Sequence, residues 1–130
     1  MAFQCTVVTP EQQIFDGSIK QAIVPAHDGL VGILTGRAPL LLKLGVGPLR
    51  LDLGDGASRF YFVDGGVAQM KNNVLTILSN DAKAAEEIDY EAARAAYAEA
   101  AARRATDEKT AAERQHDLDR AAAMQSMARR

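Results

Sequence analysis

The amino-acid sequence predicts an α+β chain, an N-terminal all-β sandwich over residues 1–84 followed by a C-terminal two-helix hairpin over residues 85–130. Three observations predict it. All 10 glycines and all 4 prolines lie before residue 67, so turn chemistry is confined to the first part. That part is filled by short apolar alternations of period two, the pattern of half-buried strands. After Asn80 the chain is dominated by Ala, Glu, Asp and Arg and contains no Gly or Pro, and Ala, Glu and Arg are among the best helix formers. The total of 130 residues suits one ordinary domain or a small core with an appendage.

The strands expected from the alternation lie near residues 3–8, 19–24, 30–34, 39–44, 46–53, 58–63, 67–70 and 74–78. In the first, Cys5 alternates with Phe3 and Val7 and reads as a small buried hydrophobe. Leu49, Leu51 and Leu53 alternate with Arg50 and Asp52, and Asp55-Gly56 then supplies residues that tolerate the backbone of a tight hairpin before Ser58-Arg59-Phe60-Tyr61-Phe62-Val63 resumes. Lys71-Asn72-Asn73 separates the last two strands in the same manner. So many short strands cannot make one open sheet with a wet face; two faces meeting in the middle is the natural solution.

The C-terminal region reads as helices over about 89–104 and 107–128, with Asp89 and Thr106-Asp107 as N-cap candidates. One uninterrupted helix is the alternative, because no glycine enforces a turn. The large apolar side chains after Asn80 are Ile88, Tyr90, Tyr97, Leu118, Met124 and Met127. A buried methyl contributes on the order of 0.8 kcal/mol, whereas ordering a residue costs about 1–2 kcal/mol. The hairpin is therefore expected to dock only weakly on its own sandwich and to be free to detach or dock elsewhere.

Most chemistry is excluded at this level. A net charge of −2 argues against a surface that coats nucleic-acid phosphates. The N-terminus lacks the pattern of a secretion signal, and the richest apolar run is broken by Lys43, Gly45, Pro48 and Arg50, well short of the roughly 20 residues that span a bilayer. The glycines of His27-Asp28-Gly29-Leu30-Val31-Gly32-Ile33-Leu34-Thr35-Gly36-Arg37 have the wrong spacing for a phosphate-binding loop, and no Lys-Ser/Thr pair follows. His27, His116 and Cys5 are scattered without metal-ligand spacing, and no serine sits in a nucleophile context. No catalytic residue, no metal site and no resident cofactor is expected. A free-standing sandwich whose tail forms a coiled coil with a partner is one reading that these residues allow.

The ordered motifs Val7-Val8-Thr9-Pro10-Glu11-Gln12-Gln13-Ile14-Phe15-Asp16-Gly17, the glycine-rich stretch from His27 to Leu41, Val63-Asp64-Gly65-Gly66-Val67, and the Ala/Arg-rich tail together resemble the epsilon subunit family of bacterial F-type ATP synthases. The resemblance runs over essentially the whole chain. It implies a ten-stranded sandwich, two helices and a non-catalytic rotor role that couples proton flow to ATP synthesis, on the cytoplasmic face of the plasma membrane. It also implies partners: the c ring, at Asp28, Leu30 and Arg37, and the gamma subunit, at Pro39 and Leu41, positions that as readily belong to an ordinary core. An extended tail in this family reaches the alpha and beta subunits and inhibits ATP hydrolysis; Arg114, Leu118 and Arg120 are the positions implied here. Arg37 stands where the family commonly has His. Some members bind ATP at Ile/Leu-Asp, two residues, then Arg-Ala. This chain has Ile88-Asp89-Tyr90-Glu91-Ala92-Ala93, with Arg94 two positions late, and two residues rotate a helical side chain by about 200°. ATP binding to the tail is therefore expected to be weak or absent.

Overall fold

The structure is a computed structural model and describes residues 2–36 and 38–128. Eight strands, a short 3₁₀ turn and two helices follow in order, and the chain divides after Lys83 into two compact units.

The first unit contains β1 (Phe3–Val8), β2 (Gln13–Ile19), β3 (Gln21–Ala26), β4 (Gly29–Leu34), β5 (Leu40–Lys43), β6 (Val46–Asp52), β7 (Ser58–Lys71) and β8 (Val74–Ala84). Hydrogen bonding runs in the order β2-β1-β8-β7-β6-β3-β4, with β5 also paired to β7. The first and last strands of the unit are parallel neighbours, Cys5 opposite Leu75 and Val7 opposite Ile77. β7 serves both layers: its first half pairs with β6, Leu49 opposite Tyr61, and its second half with β5, Leu42 opposite Ala68. The change of layer falls at Gly65 and Gly66, whose φ values of 71° and 107° suit glycine. Leu44 N–H donates to Gly66 O and Gly65 N–H to Gly45 O, which holds the bend against the β5–β6 corner.

Cys5, Val7, Ile19, Val24, Ile33, Leu49, Leu51, Met70, Leu75 and Ile77 are fully or almost fully buried. They alternate with wet residues along their strands, which is why the sequence shows period two. Burial, and secondarily Asp16, pushes the Cys5 thiol up to about 12, so it is an inert core group.

Among the described residues there are eight strands: the two runs expected at 58–63 and 67–70 are one bent strand, β2 adds another, and β8 extends to Ala84. β2 was not among the strands expected from the alternation. Its Asp16-Gly17 does not turn the chain: Gly17 pairs with Cys5 and the Phe15 ring packs beside it. Asp55-Gly56 does turn it, with Gly56 at φ 88° and Ala57 N–H donating to Asp55 Oδ1.

In the second unit a 3₁₀ turn (Ala85–Glu87) leads to α1 (Tyr90–Ala102) and α2 (Glu108–Met127), so the chain forms two helices and not one. Asp89 caps α1 by accepting from the N–H groups of Glu91 and Ala92, and Asp107 caps α2 by accepting from Thr110 N–H. The Thr110 hydroxyl accepts in return from the N–H groups of Thr106 and Asp107. These side-chain bonds replace the helical ones that a continuous helix would make, and they supply the break that no glycine provides.

Within the sandwich, Asp52 is a three-strand junction. It accepts from Gln21 Nε2 on β3 at 2.6 Å, from Arg50 Nε on β6 at 2.8 Å and from Ser58 Oγ on β7 at 2.7 Å. The Ser58 hydrogen bond first, then those of Arg50 and Gln21, hold its carboxyl at about 2, below the ordinary 3.8. A depressed folded-state value means stability that is present above the unfolded-state value and lost as pH falls from about 4 to about 2. Asp52→Asn should therefore melt lower than the parent at pH 7 by an amount corresponding to about 1–2 kcal/mol. Thermal melts between pH 7 and pH 3 check this, and the gap between the two proteins should narrow toward the acid end.

Candidate functional site

The outward positions of β5, β7 and β8 mix exposed apolar side chains, Leu41, Val67, Val74 and Leu78, with the polar Lys43, Gln69, Lys71 and Thr76. On β8, Leu75 and Ile77 point into the core, so Val74 and Leu78 point out; on β7, Ala68 and Met70 point in, so Val67 points out. Leu41 on β5 is 68% exposed and lies opposite Gln69, and Leu78 is 48% exposed and lies opposite Val8 of β1. Lys43 and Lys71 are exposed at the β5–β7 side, and Asp16 on β2 at the other. The result is a face on which four exposed apolar side chains surround the polar Gln69 and Thr76. Single exposed apolar residues are ordinary, but several on adjoining strands of one face mark an interaction surface.

A second exposed apolar pair lies on β4, the edge strand of the other layer. Leu30 is 66% exposed, Leu34 is also exposed, and the β3–β4 turn brings Asp28 and Gly29 to their end. Beside Leu34 an open groove of about 690 Å³ is lined by Lys20, Gln21, Thr35, Arg50, Asp52 and Ser58. Its carboxylate is engaged by three donors and held well below the range of a general base, so the groove is suited to contact and not to proton transfer. Among the described residues no cluster of His, Cys, Asp and Glu is arranged to hold a metal ion.

Each residue singled out from the sequence can be placed, apart from Arg37, which lies outside the described residues. Asp28 and Leu30 are exposed and adjacent at the β3–β4 hairpin. Pro39 and Leu41 are exposed, which removes the core reading for both. The residues of the degenerate nucleotide run each have a partner or place of their own. Ile88 is buried, the Asp89 carboxylate is used as a cap, and Arg94 Nε donates to Glu91 at 3.0 Å.

The three tail residues are half-buried, and one has a defined task inside the hairpin. Arg114 Nε donates to Arg103 O and its Nη2 to Ala101 O, each at 3.0 Å, so a cation from α2 satisfies the last carbonyls of α1. Arg103 in turn binds Glu99 on its own helix and Asp117 on α2, the latter at 2.7 Å. Its hydrogen bond lowers the pKa of both carboxyls. Ala100 of α1 and Ala121 of α2 are buried beside this network. Sequence reasoning missed Arg103, Asp117 and the outward Val67, Val74 and Leu78. The parity of Val67, Gln69 and Lys71 was a usable signal for the last group, but in Val74-Leu75-Thr76-Ile77-Leu78 both faces carry large apolar residues and only Thr76 marks the wet one.

No helix among the described residues is long and apolar enough to cross a membrane. The profile of the family described as ATP synthase, Delta/Epsilon chain, beta-sandwich domain matches residues 2–85. The ATP synthase epsilon chain of Rippkaea orientalis is 38% identical over 103 residues, covering 79% of this chain and 75% of that one. That of Chromohalobacter salexigens is 37% identical over 118 residues, covering 91% and 79%. A chain of the Euglena gracilis mitochondrial ATP synthase shares the fold with a TM-score of 0.87 at 23% identity, over 96% of this chain and 80% of that one.

Proposed function

This chain belongs to the ATP synthase delta/epsilon chain family, and from that premise we propose that it is a non-catalytic central-stalk subunit that links the gamma subunit to the c ring and so couples proton translocation to ATP synthesis. The observation that carries the reading is the group of exposed apolar side chains, Leu41, Val67, Val74 and Leu78, on the outer face of β5, β7 and β8, of the kind that is wet in the isolated chain and dry in an assembly. That face, with Leu41 and Pro39 at its β5 edge, is the gamma contact; the β3–β4 hairpin with Asp28 and Leu30 is the c-ring contact. The site of action is the cytoplasmic side of the bacterial plasma membrane, reached through these partners. Co-purification of the tagged chain with gamma tests the proposal. Recovery of the folded chain without gamma from cells that make both would refute it.

The helical hairpin is the regulatory part of this proposal. To reach the alpha and beta subunits the helices must separate, which breaks the Arg103–Asp117 link and releases Arg114 from the α1 carbonyls; Arg103 keeps Glu99, and Arg114 becomes available to acidic partner surfaces. Both pairs are partly exposed, where such links contribute little each, so separation is energetically accessible. With Asp89 and Arg94 each committed within α1, ATP does not set the position of the tail. Truncation after residue 88 is expected to leave assembly intact and raise ATP hydrolysis severalfold. Hydrolysis in the full-length assembly is expected to show the same tail inhibition at low and at millimolar ATP. Unchanged hydrolysis on truncation would remove the regulatory role and leave the coupling role standing.

A further inference from the structure

The β7–β8 connection is a two-residue turn, Asn72-Asn73, with φ values of 52° and 62°. A turn of this kind takes Asn well at its first position, but glycine is the residue that best fits the second. Asn73 occupies that second position, so its side chain is not explained by the turn alone. The Asn73 amide reaches across to the connection between β4 and β5. Its Oδ1 accepts from Gly36 N–H at 3.1 Å and from Thr35 Oγ1 at 3.3 Å. Gly36 sits at φ 76°, and a side chain built there would meet open space. The segment that Asn73 holds is also where the chain passes from β4, with Leu30 and Leu34 exposed, to β5, with Leu41 exposed. One side chain therefore ties the turn beside the second layer to the loop between the two exposed surfaces.

We infer that Asn73 is a positioning residue for the c-ring contact, holding the Thr35–Gly36 backbone in its bound shape before the partner arrives. The inference rests on the reading that the β3–β4 hairpin and the loop after β4 face the c ring. A loop already ordered in the free chain loses less entropy on binding, so the effect is on affinity and not on the contacts themselves.

Three variants of the full-length chain separate this role from a merely structural one. Asn73→Gly suits the turn backbone and removes the amide, so its thermal midpoint should stay within about 3 °C of the parent. Amide hydrogen exchange at Gly36 should accelerate about 3–10-fold, as expected for the loss of one exposed hydrogen bond. Affinity of the gamma-bound chain for the detergent-solubilised c ring should fall by a similar factor. Asn73→Asp keeps an acceptor at the same place and should restore both. The third variant, Leu30→Asp, reports on the contact itself and should weaken c-ring binding more than Asn73→Gly does. Unchanged Gly36 exchange in Asn73→Gly would overturn the inference, as would failure of Asn73→Asp to restore it. If Leu30→Asp weakens c-ring binding while Asn73→Gly leaves it intact, the positioning role falls and the contact surface stands. If Leu30→Asp leaves binding intact, the c-ring assignment fails and the inference with it.

Discussion

Gly66→Ala is expected to unfold the sandwich or to lower its thermal midpoint by at least about 15 °C, a loss on the order of 4 kcal/mol. A Cβ at residue 66 would lie 2.0 Å from the backbone carbonyl oxygen of Leu78 and 2.8 Å from Ser79 Cα, contacts that no rotamer can relieve. The φ of 107° adds a conformation that L-residues rarely adopt. Movement of β7 away from β8 is opposed by the hydrogen bonds that tie the bend to Leu44 and Gly45, and more weakly by Ser79 Oγ, whose one proton is shared between Gly65 O at 3.1 Å and Asp81 O at 2.6 Å. The whole sandwich of a domain this small holds only about 5–15 kcal/mol of net stability, so the loss decides whether it folds. Gly32→Ala is the matched control: nothing lies within 4 Å of its Cβ position and its φ is not in the left-handed region. That variant should melt within a few degrees of the parent, or above it. Circular-dichroism melts of both decide the matter, and a Gly66→Ala chain as stable as the parent would show that β7 does not need its bend.

The same bend shows where the sequence was legible and where it was not. Val63-Asp64-Gly65-Gly66-Val67 announces a break in a strand, and a break in direction is what it makes; that both arms remain hydrogen-bonded, each to a different partner strand, depends on Gly45 and Leu44 some twenty residues away. Asp16-Gly17 and Asp55-Gly56 are the same dipeptide, yet one lies inside β2 and the other turns a hairpin. Pairing of Gly17 with Cys5, a long-range contact, overrides a local preference that amounts to about 1 kcal/mol. The helix caps were readable because Asp89 and Asp107 act on their own next few residues. The exposed apolar positions of β8 were not, because Val74 and Leu78 alternate with Leu75 and Ile77 and period-two patterning cannot say which side meets water. Nor was the Asn73 tie, since a turn residue that bonds to a loop 37 positions earlier leaves no trace in spacing.

Leu41→Asp should reduce affinity for gamma by at least about 100-fold while leaving the free subunit folded. In the isolated chain Leu41 is among the most exposed apolar residues, at 68%, so a carboxylate there stays hydrated. Exposed substitutions of this kind change stability by no more than about 1 kcal/mol, most of it from the poor strand preference of Asp. Binding reverses the balance. A carboxylate carried into a dry apolar contact loses its hydration without a donor to replace it, and the effective penalty is several kcal/mol even after local rearrangement. Every 1.4 kcal/mol is a factor of ten in affinity, so a 100-fold loss is the conservative end of that range. Lys43 and Lys71 stand at the rim and could draw the new carboxylate outward, which sets the lower bound. Leu78→Asp, across the same face, should behave alike, and Leu30→Asp, on the edge strand of the other layer, should leave gamma affinity unchanged. Titration of purified gamma against the three variants gives the comparison directly. Equal losses in all three would mean that the outer face of β5, β7 and β8 has no special claim on gamma, and unchanged affinity for both Leu41→Asp and Leu78→Asp would remove that face from the assembly altogether.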